Sequence, residues 1–236
     1  MDKLVQQLVE KLQKAFGDRL VSVILYGSAA SGDHQERFSD YNVLCVLSRI
    51  TPAELRDGEP VLRWWREQGS PSPLLLTEDE LATSSDCFAI EYSDMQRNHQ
   101  LLAGRDVISG LVVERVFYRA QVEHDLRAKL LRFRQKASGV LSDGDLLRRL
   151  LLDSLSTFCV LFRHALILHG EDGPSKKREV IAAASRRFGF DPLAFDKLLD
   201  IREQILKARD VEPVPLLDAY LQGIAVVIGA VDRLDK

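Results

Sequence analysis

A glycine and a serine, Gly27 and Ser28, follow an apolar segment, and an acidic residue, Asp40, opens the next apolar segment twelve positions after Ser28. Gly27 can adopt a positive φ and leaves room for a phosphate group to approach the backbone. Ser28 can donate its hydroxyl and its backbone N–H to phosphate oxygens. A carboxylate such as Asp40 can hold Mg²⁺ beside that phosphate. The spacing therefore predicts a site for a phosphate group with Mg²⁺ beside it.

Asn42 stands two positions after Asp40, in a segment predicted to be a strand over 41–47. Side chains two positions apart in a strand point to the same face, so both are expected on one face. Asn42 offers a carbonyl oxygen but no charge, which weakens its contribution to a metal site. Two alternatives stay open. The site works with two acids and Asn42 as an additional ligand, or it binds nucleotide without turnover.

A further acidic residue, Glu91, lies in an apolar run that is predicted to be a strand over 87–92. A carboxylate can serve as a metal ligand or as a general base, and Glu91 is the preferred candidate for these roles. Asp94, near the predicted end of the strand, is the alternative.

The strand, the Gly27-Ser28 turn and Asp40 resemble the signature of the DNA polymerase β-like nucleotidyltransferase superfamily, in which Gly-Ser is followed by Asp-x-Asp. The chain departs from that pattern at Asn42. The resemblance implies that Gly27 and Ser28 seat the triphosphate and that Asp40, Asn42 and Glu91 form the metal shell, with Asp40 and Glu91 catalytic. It implies Mg²⁺ as cofactor and a nucleoside triphosphate, ATP being the expected one, as substrate. The implied reaction moves a nucleoside monophosphate to a hydroxyl of a small molecule or protein.

The composition limits the alternatives. The 236 residues carry a formal net charge of −3, which gives no general attraction to nucleic acid. The three cysteines have no zinc-type spacing. The charged N-terminal helix does not match a signal peptide, and charged residues interrupt the apolar stretch 150–168, so no membrane span is predicted. A cytoplasmic protein is therefore expected.

Two domains are predicted, a nucleotidyltransferase-like head over 1–118 and a helical bundle over 119–236. Residues 1–118 hold 12 basic and 18 acidic side chains, whereas residues 119–236 hold 20 and 17. Strand-like patterns end near residue 118, and about five helices are predicted after it. This order predicts an α/β or α+β head with a mixed sheet followed by an all-α bundle. The elements predicted in the head are helices over 2–16 and 52–68, strands over 21–26, 41–47, 74–77 and 87–92, and a turn or short helix over 78–83.

This architecture resembles nucleotidyltransferases of the kanamycin and aminoglycoside type, and small prokaryotic ones whose helical domain is of the HEPN type. The basic helix over 119–137 is predicted to line the acceptor cleft. A homodimer through the helical domain is left open. A further alternative is a HEPN-type ribonuclease toxin, because Arg163 and His169 have a similar Arg-x₅-His spacing.

Overall fold

The computed structural model describes residues 2–30 and 41–234. The chain divides into two compact units, Met1–Val116 and Phe117–Lys236, which we call the head and the helical unit. The predicted class, an α/β head with a mixed sheet and an all-α C-terminal bundle, is confirmed.

The described part of the head contains a four-stranded sheet in the order β3-β2-β1-β4. Strand β1 is antiparallel to both of its neighbours, and β2 is parallel to β3. The elements in chain order are α1 (Lys3–Phe16), β1 (Leu20–Tyr26), β2 (Asn42–Leu47), α2 (Pro52–Glu67), β3 (Leu74–Thr77), α3 (Glu78–Thr83), α4 (Ala89–Arg97) and β4 (His99–Gly104).

Both faces of the sheet are covered, as the nearly continuous apolar sequence of β2 predicts. On one face, Val43 and Cys45 pack in a cluster that also holds Leu12 of α1 and Trp65 of α2. On the other face, Leu44 and its neighbours pack in a second cluster that includes Tyr92 and Met95 of α4. Helix α4 therefore lies on the same face as the alternate side chains of β2 that begin with Asn42.

A buried carboxylate of α2 binds two arginines that flank the sheet, one just before β1 and one just after β2. Glu54 completes a capping box with Thr51 and accepts hydrogen bonds from Arg19 (2.9 Å) and Arg49 (3.1 Å). The Thr51 hydroxyl, followed by Arg19, lowers the pKa of Glu54 to about 2. These donors keep Glu54 ionised although its side chain is buried.

The strand predicted over 87–92 is wrong, because this segment lies in helix α4 and its preceding turn. The run reads as a strand by its apolar and aromatic content, but Ala89, Tyr92 and Ser93 are buried at helical spacing. The actual later strand, β4, was missed. It is an edge strand whose Gln, Gly and Ala residues have low strand propensity.

The described residues of the helical unit form five α-helices. They are α5 (Tyr118–Ser138), α6 (Gly144–Leu168), α7 (Lys177–Phe188), α8 (Leu193–Arg202) and α9 (Pro213–Asp232). Aromatic rings fill the centre, with Tyr220 of α9 packed 4.7 Å from Phe195 and 5.6 Å from Phe133, centroid to centroid. The buried Tyr220 hydroxyl is within 3.0 Å of the Ser154 hydroxyl. Burial raises the pKa of Tyr220, so this phenol stays protonated.

Among the described helices, α6 and α9 are long and apolar enough to cross a membrane by length and composition alone. Both contribute extensively to the core of the helical unit, as core helices of folded domains do. Helix α6 also buries Arg163 and His164, and His164 is hydrogen-bonded to the Tyr118 hydroxyl through Nδ1.

Candidate functional site

The end of β1 forms a tight turn that only glycine enters without strain. A short 3₁₀ turn spans Gly27–Ala29, and Gly27 has a φ of +78°. The Gly27 N–H donates to the carbonyl oxygen of Asn98 (3.2 Å), and the Ala30 N–H donates back to the Gly27 carbonyl (3.1 Å). The junction between α4 and β4 therefore fixes the turn predicted to seat a phosphate.

Asn42 begins β2 directly opposite Tyr26 and is partly buried. Its Nδ2 atom lies 3.3 Å from where a Cβ on Gly27 would be. The structure therefore places the amide of Asn42 beside the Gly27 turn. Ser28 follows Gly27 in that turn, and its role as a phosphate donor stays a prediction.

Asp40, the acid on which the sequence argument depends most, lies outside the described residues. Its role as catalytic acid and metal ligand stays a prediction, as does the expectation that it shares a face with Asn42.

Glu91 lies on a helix instead of a strand, so the structural basis for choosing it is corrected. It is exposed on α4, and Asp94, the alternative, lies on the same helix. Nevertheless, the charge of Glu91 affects the residue at the end of β1. Burial and then the negative charge of Glu91 raise the pKa of Tyr26, the residue before Gly27. The fold thus brings Glu91 within electrostatic reach of the turn by a route that the sequence did not indicate, and its catalytic role stays a prediction.

A second polar cluster, missed at the level of sequence, adjoins this edge at the start of β4. His99 lies opposite Tyr26 and its Nδ1 is 2.8 Å from the Met95 carbonyl, so Nδ1 carries a proton. Its Nε2 is 3.3 Å from Asp106. The Asp106 carboxylate accepts hydrogen bonds from the Ser109 hydroxyl (2.6 Å) and from two backbone N–H groups. The Ser109 hydroxyl is the first cause of the lowered pKa of Asp106. The Asp-x-x-Ser spacing is a turn pattern that could have revealed this cluster.

The ribonuclease alternative rested on Arg163 and His169. Arg163 is buried in α6, and a Cβ on Gly173 would be 2.5 Å from its Cγ. His169 caps the same helix, with Nδ1 2.8 Å from the Ala165 carbonyl and its ring 4.9 Å from that of Phe188. These contacts explain both residues by the structure of the α6 terminus.

The cations of the predicted basic helix are exposed on α5. Arg127 is paired with Glu123 (2.8 Å) and lies 3.5 Å from Asp232 of α9. The prediction that this helix lines an acceptor cleft stays a prediction.

Comparison with known proteins supplies a structural likeness and no sequence match. No family model and no curated protein matches the chain. The crystal structure of spectinomycin adenyltransferase AAD(9) from Enterococcus faecialis, solved with ATP and spectinomycin, matches 98% of this chain and 100% of its own, with a TM-score of 0.58 and 16% identity. A toxin-antitoxin structure with AMP-PNP covers 43% of this chain and 74% of its own, at a TM-score of 0.30 and 15% identity, too distant to support an argument.

At 16% identity, the likeness to the adenyltransferase concerns the fold alone. The likeness confirms the fold that the resemblance implies, an α/β head followed by a helical bundle. The match extends over both the head and the helical unit, whereas the sequence motif covers only part of the head.

Proposed function

We propose that this chain is a nucleotidyltransferase that moves a nucleoside monophosphate from a nucleoside triphosphate, ATP being the expected one, to a hydroxyl group of a small molecule. The observation that carries the proposal is the likeness along the whole chain to an adenyltransferase solved with ATP and spectinomycin. The Gly27 turn at the end of β1 supports it, because the turn offers a close backbone approach for phosphate. A protein hydroxyl is the alternative acceptor.

In the proposed reaction, the acceptor oxygen attacks the α-phosphorus of the triphosphate. The bond between this phosphorus and the bridging oxygen breaks, and pyrophosphate leaves with that oxygen. The acceptor hydroxyl gives up its proton, which Asp40 or Glu91 is proposed to take as general base. The Gly27 turn and Asn42 are proposed to hold the phosphates in place, which contributes by positioning.

Magnesium, which the resemblance implies, would be held by Asp40, Asn42 and Glu91. Within residues 2–30 and 41–234, no three His, Cys, Asp or Glu side chains are grouped to hold a metal ion. Asn42 has its amide nitrogen beside the Gly27 turn. The described residues do not by themselves fit a bound metal, and we derive no step through one.

The proposal is tested by incubating the purified chain with MgCl₂, ATP labelled at the α-phosphate and a panel of hydroxyl-bearing acceptors that includes spectinomycin, aminoglycosides and protein substrates. Transfer of label to an acceptor supports it. Asp40→Ala should abolish transfer and Glu91→Gln should reduce it, whereas Asp79→Asn, an exposed acid of α3, serves as the control. A loss of transfer in Asp94→Asn instead of Glu91→Gln would assign the role to Asp94. Label transfer that survives Asp40→Ala unchanged would show that the reaction takes place elsewhere.

A second candidate is a head that binds nucleotide or a partner protein without turnover. Asn42 favours it, since an uncharged amide stands where the resembled pattern has an acid. This candidate predicts stoichiometric ATP binding without pyrophosphate release. Turnover gained by Asn42→Asp would support it, and turnover by the wild-type chain would exclude it.

A further inference from the structure

We infer that Asn42 contacts the nucleotide phosphates as a hydrogen-bond donor and that this donor lowers the dependence of nucleotide binding by this head on a divalent cation. The inference rests on the proposed function, in that the Gly27 turn must bind a nucleoside triphosphate. It goes further by assigning Asn42 to the phosphate instead of to a metal shell.

The Gly27 N–H is already bonded to the Asn98 carbonyl, so it is not available to a phosphate oxygen. The amide nitrogen of Asn42 lies 3.3 Å from where a Cβ on Gly27 would be, next to the space that glycine leaves open. A side-chain amide carries two N–H donors, and a carboxylate at the same position would carry none.

Asn42 is held in place by the sheet. It is the first residue of β2 and pairs in register with Tyr26, the last residue of β1. Because the backbone at positions 26 and 42 is fixed by the sheet, a short side chain at 42 has little freedom to move away from the turn. The donor is therefore organised before the nucleotide arrives, which lowers the entropic cost of binding.

The charge of the residues near Asn42 bears on how much a cation contributes to nucleotide binding. Of the described residues at the turn, Asn42 is uncharged and Tyr26 is neutral at physiological pH, because the pKa of a phenol is ordinarily about 10 and burial, followed by the charge of Glu91, raises it further. Glu91 is exposed, so solvent and salt screen its repulsion of a phosphate. A carboxylate at position 42 would instead repel a phosphate at short range, and a cation would be needed to offset that repulsion.

The experiment measures the affinity for ATP by isothermal titration calorimetry, once with MgCl₂ and once with excess EDTA. We expect the wild-type affinity to differ by less than about threefold between the two conditions. Asn42→Asp should weaken ATP binding in EDTA by about tenfold or more relative to wild type, and MgCl₂ should restore much of it. The matched control is Gln100→Glu, which adds one negative charge on β4 at a position paired with Leu25. Because Leu25 belongs to the opposite face of the sheet from Leu44, this control should change neither value.

The outcomes distinguish a failure of this inference from a failure of the proposed function. Wild-type binding that is present with MgCl₂ and absent in EDTA overturns the inference while the proposed function stands. Unchanged affinity of Asn42→Asp in EDTA also overturns it. No ATP binding in either condition contradicts the proposed function itself. Thermal melting verifies that each variant folds. If Asn42→Asp does not fold, Asn42→Ala replaces it, and a loss of about fivefold or more in EDTA is expected from the missing donor.

Discussion

Gly27→Ala should lower both the stability of the head and its affinity for nucleotide, because Gly27 has a positive φ and is adjacent to the proposed phosphate site. A control glycine away from the site separates the two effects. Gly27 has a φ of +78°, a region that costs an L-residue about 1–2 kcal/mol. Replacing glycine also restricts the unfolded chain, which raises the free energy of unfolding by about 0.4–1 kcal/mol. The net loss in the free energy of unfolding should therefore be about 1 kcal/mol. This small loss leaves the head folded and its binding measurable.

The new methyl group has a second effect on the site. It would lie 3.3 Å from Nδ2 of Asn42, so the amide must shift by a few tenths of an ångström, and the methyl would occupy the space proposed for a phosphate. We expect the affinity of Gly27→Ala for ATP to fall by about tenfold or more, equivalent to about 1.4 kcal/mol. Calorimetric titration measures the affinity, and urea denaturation measures the stability.

Gly69→Ala is the matched control. Gly69 has a φ of +85° and no atom within 4 Å of the added Cβ, so it carries similar strain away from the turn. It should lose similar stability and bind ATP like the wild type. The reasoning is refuted if Gly27→Ala retains wild-type affinity, or if Gly69→Ala loses as much affinity as Gly27→Ala does.

Three further predictions concern stability. Gly104→Ala should lower the free energy of unfolding by more than about 3 kcal/mol in urea denaturation, because its Cβ would be 2.0 Å from the Val21 carbonyl oxygen at a φ of +77°. The control Gly110→Ala has open space around the added Cβ and should be nearly neutral. Equal losses in the two variants would contradict a steric cause. The pKa of Glu54 is lowered from 4.5 to about 2, so its contribution to stability should be complete above about pH 4.5 and disappear as the pH falls toward 2. Glu54→Gln should flatten the pH dependence of unfolding in that window, and an unchanged profile would exclude this role. Gln204 has a φ of +61°. Gln204→Gly should therefore leave the free energy of unfolding unchanged or raise it by at most about 1 kcal/mol, which thermal melting measures. Clear destabilisation would contradict strain at this position.

Hydrophobic periodicity predicted most of the fold. Helix α1 follows from apolar residues every three or four positions, and β1 and β2 follow from short β-branched runs flanked by turn residues. The segment of α4 was predicted wrongly as a strand, because a short buried helix and a buried strand have similar composition. Strand β4 escaped because its residues have weak strand propensity and its place beside β1 depends on a long-range pairing.

The structure places two of the predicted site residues side by side, whereas their roles stay predictions. Gly27 and Asn42 were both selected from the sequence, and the pairing of β1 with β2 brings them together. Glu91 was selected on a strand that does not exist, although its helix still brings its charge to bear on Tyr26. The contact between Gly27 and the Asn98 carbonyl involves the backbone, which carries no signal in residue type.

The measurement that tests the central claim most directly is the release of pyrophosphate from ATP by the wild-type chain in the presence and absence of a hydroxyl acceptor, with product mass determined in parallel. The account predicts that one pyrophosphate appears for each acceptor that gains the mass of a nucleoside monophosphate, and that Asp40→Ala abolishes both signals. ATP binding at the Gly27 turn with neither pyrophosphate nor modified acceptor, across the whole acceptor panel, would contradict the claim that this chain is a nucleotidyltransferase.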